Sequence, residues 1–386
     1  MTSPRILIIA GSDSGGGAGI QADIKTVTML GGHAMTAITA ITAQNTLGVE
    51  GVLPIPTAMV LQQMEAVLSD IGADAVKIGM IGSAETAEAV AERLEGLDVP
   101  IVFDPVMVAT SGSVLADEAT IAAFERLMKT ATLVTPNAPE LQVLSGSSIA
   151  GPEDVEQAAL GLLGRAGTAI LAKGGDLSGP TVADLLVRDG RVTRWEDERI
   201  ETVHTHGTGC TLASAIAVHL GRGRPVEEAV ARARGFVRRA MLAAPGFGKG
   251  HGPMGHASAG TDEMNITQVT LPAIDYAASV AFYRALGLTQ IVDSPGRYAR
   301  FQCPGGATLS IHVEEGLHAG DATIGFESGD LDGWVERLTA AGIRFEMLPQ
   351  DQPWKMREAF LRDPAGNRIM LFWGGEYRRF PPWRID

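Results

Sequence analysis

Cysteine is nearly absent: 386 residues hold only two, Cys210 and Cys303. So far apart, the pair forms neither a metal-ligand spacing nor a disulfide framework. Long apolar runs are missing as well. No stretch approaches the roughly 18 apolar residues that span a bilayer, and "MTSPRILIIAGSDSG" lacks a signal-peptide layout. Positive charge is short, with 31 Lys and Arg against 45 Asp and Glu and a formal net charge of −14. Nucleic-acid binding therefore has no electrostatic support. The familiar phosphate loops are also lacking. Gly11 and Gly16 have Walker A spacing without the following Lys-Ser/Thr, and "AGSDSGGGAGIQADIKT" (10–26) contains no G-x-G-x-x-G. The expectation is a soluble cytoplasmic protein with neither membrane nor nucleic acid as a partner.

Aromatic residues are scarce, at 5%, and unevenly spread. All four Tyr, four of five Trp and seven of eleven Phe lie beyond residue 270. Such a change in core vocabulary argues for two separately built domains. The glycine-rich "PGFGKGHGPMGHASAGTDEM" (245–264) lies between them and has no hydrophobic period. The expected division is a first domain at 1–256, a linker at 257–264 and a second domain at 265–386.

In the first domain short apolar runs alternate with helical patterns. "RILIIA" (5–10), "HAMTAITAI" (33–41), "AVKIGM" (75–80), "PIVFDP" (100–105), "TLVTP" (132–136) and "TAILAKGG" (168–175) read as strands. "AETAEAVAERLEGL" (84–97) reads as an amphipathic helix. Continuous apolar strands between helices predict an α/β fold with a doubly wound, mostly parallel sheet. Asp189-Gly190 within "VADLLVRDGRVTRWE" (182–196) predicts a β-hairpin. In the second domain one spacing of 55 aligns Val269 with Ile324, Leu271 with Phe326, Asp275 with Asp330, Gly287 with Gly342 and Leu288 with Ile343. Each copy reads strand, turn, helix, glycine, further strands, which predicts an α+β domain of paired βαβββ units.

Ligands of open α/β sheets bind at the carboxyl ends of the strands. The glycines of residues 10–26 would either let backbone approach such a ligand or merely allow a tight turn. In "HGTGC" (206–210), Gly207, Thr208 and Gly209 precede a helix. A helix start offers free N–H groups and the positive end of the dipole, which suits a phosphate in transfer. The dipole would lower the pKa of Cys210, whose thiol group could then take a proton from a substrate hydroxyl. The plainer reading is a buried Cys on a packed helix, and spacing alone leaves both open.

"AGSDSGGGAGIQADIKT", "AITAQNT" (40–46), "KIGMIG" (77–82), "DPVMVATSG" (104–112), "TPNAPE" (135–140), "KGGD" (173–176) and "HGTGCTLASAIA" (206–217) occur in this order. Together they closely resemble the hydroxymethylpyrimidine kinase / phosphomethylpyrimidine kinase family of thiamine biosynthesis, a ribokinase-like branch, over residues 4–256. The resemblance implies ATP- and Mg²⁺-dependent phosphorylation of 4-amino-5-hydroxymethyl-2-methylpyrimidine and then of its monophosphate, by a homodimer. It implies that Gln44 pairs with the aminopyrimidine edge, Asp23 lies near the hydroxymethyl group, and Gly11, Met80 and Val106 line the ring pocket. Cys210 takes the base position, with Gly207, Thr208 and Gly209 as the anion hole. Asp104 and Glu140 would hold Mg²⁺ directly or through water, Asn137 and Lys173 would contact ATP phosphates, and residues 107–115 would form a lid. Taken alone, Gln44 reads as a surface amide, Asp23 as a first-turn acid, Met80 and Val106 as core, Asn137 as a helix cap and Lys173 as a solvated cation. Thr110 and Asp176 depart from the Lys and His that many relatives carry.

"FYRALGL" (282–288), "DLDGWVERLTAAGI" (330–343) and "LRDPAGNRIMLFW" (361–373) resemble the vicinal oxygen chelate superfamily over residues 265–376. That superfamily's metal seats fall here on Gln268, Ser310, Thr323 and Met370, with His312 two residues from Ser310. Of the four seats only Gln268 is a good hard-metal ligand. The expectation is a metal-free module that binds a small planar molecule, fused to the kinase. The alternatives are a pyridoxal kinase, against which Gln44 and Cys210 argue, and a pyrimidine sensor with a decayed kinase site.

Overall fold

Strand β1 (Arg5–Ser12) carries the apolar run of residues 6–10, and all five side chains are buried. A strand buried on both faces must lie inside a sheet, and β1 does. In the computed structural model it pairs in parallel with β2 (His33–Gln44) on one side. The chain continues through β3 (Val49–Pro54), β4 (Ala75–Ile78), β5 (Ile101–Phe103), β6 (Leu133–Val134), β7 (Ala169–Ala172), β8 (Thr181–Arg188) and β9 (Arg191–Glu198). Among the described residues these form one nine-stranded sheet, in the order β3-β2-β1-β4-β5-β6-β7-β8-β9. The described residues are 3–108, 112, 115–259, 265–273, 275–285, 288–302, 307–313, 323–340, 342–362, 368–378, 381 and 383. Cys303, Thr110 and Gly287 lie outside them.

The neighbours from β2 through β1 and β4 to β7 run parallel, and β3, β8 and β9 are antiparallel additions. The expected hairpin at Asp189-Gly190 is present, with both residues at positive φ (50° and 71°), as a tight primed turn requires. Strand β3 went unpredicted because "VEGVLP" is an exposed edge strand with no apolar alternation. Helices cover both faces. One apolar core joins Leu7, Ile9 and Phe103 to Val90, Phe124 and Leu162. The other joins Ile6, Ile8 and Val102 to Ile216, Val230 and Phe236. After β1 the chain first adds β2 on one side and later β4 on the other. That reversal opens a crevice at the carboxyl ends of β1, β2, β4 and β5.

Contacts divide the chain into two units, Met1–Gly260 and Thr261–Asp386. The second unit is the expected duplication. Its first copy is β10 (Asn265–Pro272), the helix Tyr276–Ala285, β11 (Thr289–Ser294), β12 (Tyr298–Gln302) and β13 (Thr308–His312). The second is β14 (Thr323–Glu327), the helix Leu331–Ala340, β15 (Phe345–Asp351), β16 (Arg357–Arg362) and β17 (Arg368–Trp373). The copies join through antiparallel β10 and β14 in the order β11-β12-β13-β10-β14-β17-β16-β15. One sheet face packs on the helices, through Phe301 and Ile311 with Tyr283 and through Ala359 and Leu371 with Val335. Among the described residues no helix is long and apolar enough to cross a membrane.

Candidate active site

The crevice is a cavity of about 860 Å³. Gly11, Gln44, Met80, Val106, Asp104, Asn137, Glu140, Lys173, Gly207, Thr208, Gly209 and Cys210 all line it, so residues spread over the whole unit converge there. Asp23 does not. It is fully buried beside the cavity, 2.8 Å from Lys77 Nζ, and accepts the Ser214 hydroxyl at 2.7 Å. The expectation that Asp23 approaches substrate is corrected to that of an anchor for Lys77, which does reach the cavity wall.

Asp13 organises the glycine-rich loop. Its buried carboxylate accepts backbone N–H from Gly15 (2.8 Å), Gly17 (3.0 Å) and Ala18 (2.8 Å), and lies 3.0 Å from His206 Nε2. Burial works against its charge, yet His206 and those amides hold Asp13 below the usual carboxylate range. His206 also reaches Gln44. The two ends of the Gln44 amide lie 3.3 Å from Thr42 Oγ1 and 3.2 Å from His206 Nε2. Thr42 already donates to the Ser12 carbonyl, and His206 Nε2–H to Asp13. The Thr42 hydroxyl also faces Gln44 Oε1, and Gln44 Nε2 faces His206 Nε2. Loop, imidazole and amide form one connected support for a ligand edge.

In "HGTGC" geometry forces glycine at 207 and leaves position 209 crowded. Gly207 has φ +85°, and a Cβ there would lie 1.9 Å from the Gly17 carbonyl oxygen. A Cβ on Gly209 would lie 3.1 Å from Lys173 Nζ and 3.4 Å from Asp104 Oδ2. The start of the helix Thr208–Gly221 is thereby pressed against an ion pair. Lys173 Nζ sits 2.8 Å from Asp104 Oδ1, which also accepts the Thr135 hydroxyl at 2.9 Å, and 3.9 Å from Glu140 Oε2. Lys173 is thus a half-buried, paired cation and not a solvated one. Asn137 does cap the helix Ala138–Ser145: its Oδ1 accepts Glu140 N–H and Glu140 Oε2 accepts Asn137 N–H, both at 2.8 Å. Its amide nitrogen donates to no other group among the described residues.

Charge and burial compete throughout. Burial disfavours the Asp104 carboxylate, but Lys173 and Lys77 hold its pKa below the ordinary value. Burial pushes Glu140 up to about 7, against the pull of Lys173. Burial also opposes the charge of Lys77, which Asp23 outweighs, so the ammonium stays protonated. Burial raises the thiol of Cys210 to about 11, with Lys77 pulling the other way. The expected lowering is corrected: burial outweighs the Lys77 charge and the Gly19 hydrogen bond that favour the thiolate. Asp104 Oδ2 and Glu140 Oε1 accept no hydrogen bond among the described residues. Two spare carboxylate oxygens beside a nucleotide-sized cavity fit Mg²⁺, which uses few protein ligands and keeps its waters.

Asp13, Lys77, Thr135, His206 and Ser214 were not singled out in the sequence. Lys77 had a signal, a lone charge inside the apolar strand "AVKIGM". Asp13 and His206 sit within motifs already conspicuous, but only the fold brings them together. The ends of the expected lid are clasped by Leu115 N–H to Met107 O at 2.8 Å. Residues 109–111 and 113–114 between them lie outside the described set.

A doubly wound sheet whose crevice joins a glycine-lined helix start to a lysine and two carboxylates defines a small-molecule kinase of the ribokinase-like class. Residues 13–255 match the model of phosphomethylpyrimidine kinase, and the chain belongs to that family. Residues 265–371 match the glyoxalase/bleomycin resistance protein/dioxygenase superfamily. The thiamine biosynthesis bifunctional protein ThiED of Geobacter sulfurreducens is 47% identical over 259 residues, which are 67% of this chain and 53% of that protein. The hydroxymethylpyrimidine/phosphomethylpyrimidine kinase of Streptomyces coelicolor is 46% identical over 258 residues, 66% of this chain and 95% of that one. The solved ADP complex of Bacillus subtilis pyridoxal kinase is 32% identical with a TM-score of 0.61, covering 66% of this chain and 98% of that one.

Proposed function

We infer that this chain uses ATP to phosphorylate 4-amino-5-hydroxymethyl-2-methylpyrimidine and then its monophosphate, as a step in thiamine biosynthesis. The observation that carries this reading is the placement of Cys210 and the Gly207–Gly209 backbone beside the Lys173–Asp104 pair, in one cavity with Gln44. Gln44 offers donor and acceptor to an aminopyrimidine edge, with Gly11, Met80 and Val106 around the ring. The backbone N–H groups of residues 207–209 receive the transferring phosphoryl, and Lys173 and Asn137 hold the ATP phosphates. Asp104 and Glu140 would hold Mg²⁺ directly or through water, and the ion would supply neutralisation of phosphate charge. Cys210 takes the hydroxyl proton as the substrate oxygen attacks phosphorus. With its pKa raised to about 11 by burial, the resting group is the thiol, so it is the minor thiolate form that accepts this proton.

The kinase domain is assigned to residues 1–256, joined through 257–264 to a metal-free small-molecule-binding module at 265–386. The chain acts in the cytoplasm as a homodimer, a state that light scattering on the purified chain checks. The test of function is ATP-dependent turnover of the pyrimidine, its monophosphate and pyridoxal by the full chain. Conversion of both pyrimidines supports the reading, and turnover of pyridoxal alone overturns it. The Bacillus neighbour is a pyridoxal kinase, but the relatives at 46–47% identity bear pyrimidine-kinase or thiamine-biosynthesis names. Pyrimidine binding without turnover would indicate a decayed sensor.

A further inference from the structure

The second sheet hides polar groups on the face turned away from its helices. Arg300 pairs with Ser310, and Ser310 with Thr270. Gln268 pairs with Gly325, Gly325 with Met370, and Met370 with Phe360. Directly paired residues share a face, as do residues two apart on a strand. Tyr298, Arg300, Ser310, Gln268, Met370, Phe360 and Glu358 therefore lie on one side, opposite Phe301, Ile311, Ala359 and Leu371 on the helix side. Such a face on an open flat sheet would be wet. Instead Arg300 is 8% exposed, Gln268 and Glu358 5%, and Ser310 0%. The face is therefore enclosed.

Within that enclosure the guanidinium is pre-positioned. Arg300 Nε donates to Tyr298 Oη at 2.8 Å, and Tyr298 Oη lies 2.8 Å from Ser310 Oγ. Among the described residues Arg300 Nη1 is buried with no hydrogen-bond partner, and so is Gln268 Oε1. Glu358, from the other copy of the repeat, accepts Trp354 Nε1–H at 2.7 Å. It feels the charge of Arg300 without forming an ion pair with it among the described residues. Beside these groups Met356, Met370, Phe360 and Phe372 form an apolar wall. An unmet buried donor and an unmet buried acceptor each cost about 1–3 kcal/mol, a cost that a ligand would remove.

We propose that this face binds a flat heteroaromatic acid, with a carboxylate or phosphate on Arg300 Nη1, an N–H donor on Gln268 Oε1 and the ring against the Met–Phe wall. The site stands independently of the kinase reading. Calorimetric titration of the full chain tests it, without ATP and with the kinase cavity saturated by the neutral hydroxymethylpyrimidine. The probes are 2-aminopyrimidine-5-carboxylate, the hydroxymethylpyrimidine monophosphate and, as neutral control, 2-aminopyrimidine. At least one acid is expected to fill one additional site that the neutral ring does not, and the preferred acid identifies carboxylate or phosphate as the anion. Arg300→Met should weaken that site at least about ten-fold, Arg300→Lys and Gln268→Leu less, with pyrimidine turnover unchanged in all three. No additional site with either acid, or undiminished affinity in Arg300→Met, overturns the proposal. If Arg300→Met fails to fold, wild-type affinity in both Arg300→Lys and Gln268→Leu overturns it instead.

Discussion

The two domains treat buried charge in opposite ways. Around the kinase cavity Asp23 meets Lys77, Asp104 meets Lys173 and Asp13 meets His206, each within 3.0 Å. In the second domain Arg300 and Glu358 are buried on one face and do not meet. A self-paired array is stable while empty, and a nucleotide must exchange partners with it. An unpaired array remains incomplete until something enters. Catalysis by transferring phosphate favours the first arrangement, since the cavity must release product as readily as it takes substrate. Retention of a ligand favours the second.

The sharpest test of that contrast removes one cation from each domain. Lys77→Met leaves Asp23 buried and uncompensated, and should cost about 3–5 kcal/mol of stability by urea unfolding. Adding Asp23→Asn should restore most of it. A full-sized loss in the double variant would show that packing, and not charge, was at stake. Catalysis gives the next largest effect. Cys210→Ala should lower kcat by roughly 10²-fold with pyrimidine binding retained. With the thiol at about 11, roughly one site in ten thousand is thiolate at pH 7. Wild-type kcat should therefore keep climbing above pH 8, beyond the range in which Glu140 titrates, where the alanine variant should be flat. A flat wild-type profile would assign the thiol to packing.

A smaller effect is expected at His206. His206→Ala should raise KM for the pyrimidine about ten-fold and change kcat less, because the ring supports Gln44 without touching phosphorus. An unchanged KM would separate Gln44 from the Asp13–His206 support. The smallest effect carries the opposite sign. Arg300→Met removes an unmet buried donor, so the second domain should gain about 1 kcal/mol, read by tryptophan fluorescence. Destabilisation there would mean that Arg300 is already satisfied and the contrast between domains is lost.

Periodicity made the architecture legible. Apolar runs such as residues 6–10 and the Asp189-Gly190 turn fold as their local chemistry dictates, and the 55-residue repeat reappears as two βαβββ copies. Strand β3 was not legible, because an exposed edge strand has no burial to pattern its residues. At the site, Gln44, Lys173 and Cys210 stood in recognisable motifs, and the cavity gathers them. Asp23 misled because its motif position says nothing about depth, and its partner Lys77 is 54 positions away. The sign of the Cys210 shift was also beyond sequence reach: the dipole is local, whereas desolvation depends on every element packed around the helix start.

Asp13 and His206 are separated by 193 positions, and the glycine-rich loop closes on both. β1 and its loop precede this imidazole by most of the domain, yet the loop's shape depends on it. A nascent chain therefore has no partial version of the cavity to offer a substrate, and a premature stop before residue 206 yields a protein without the loop's clasp. Closing so long a contour also slows the final folding step. A ligand-competent cavity in this kinase therefore requires both ends of the first domain to be in place at once.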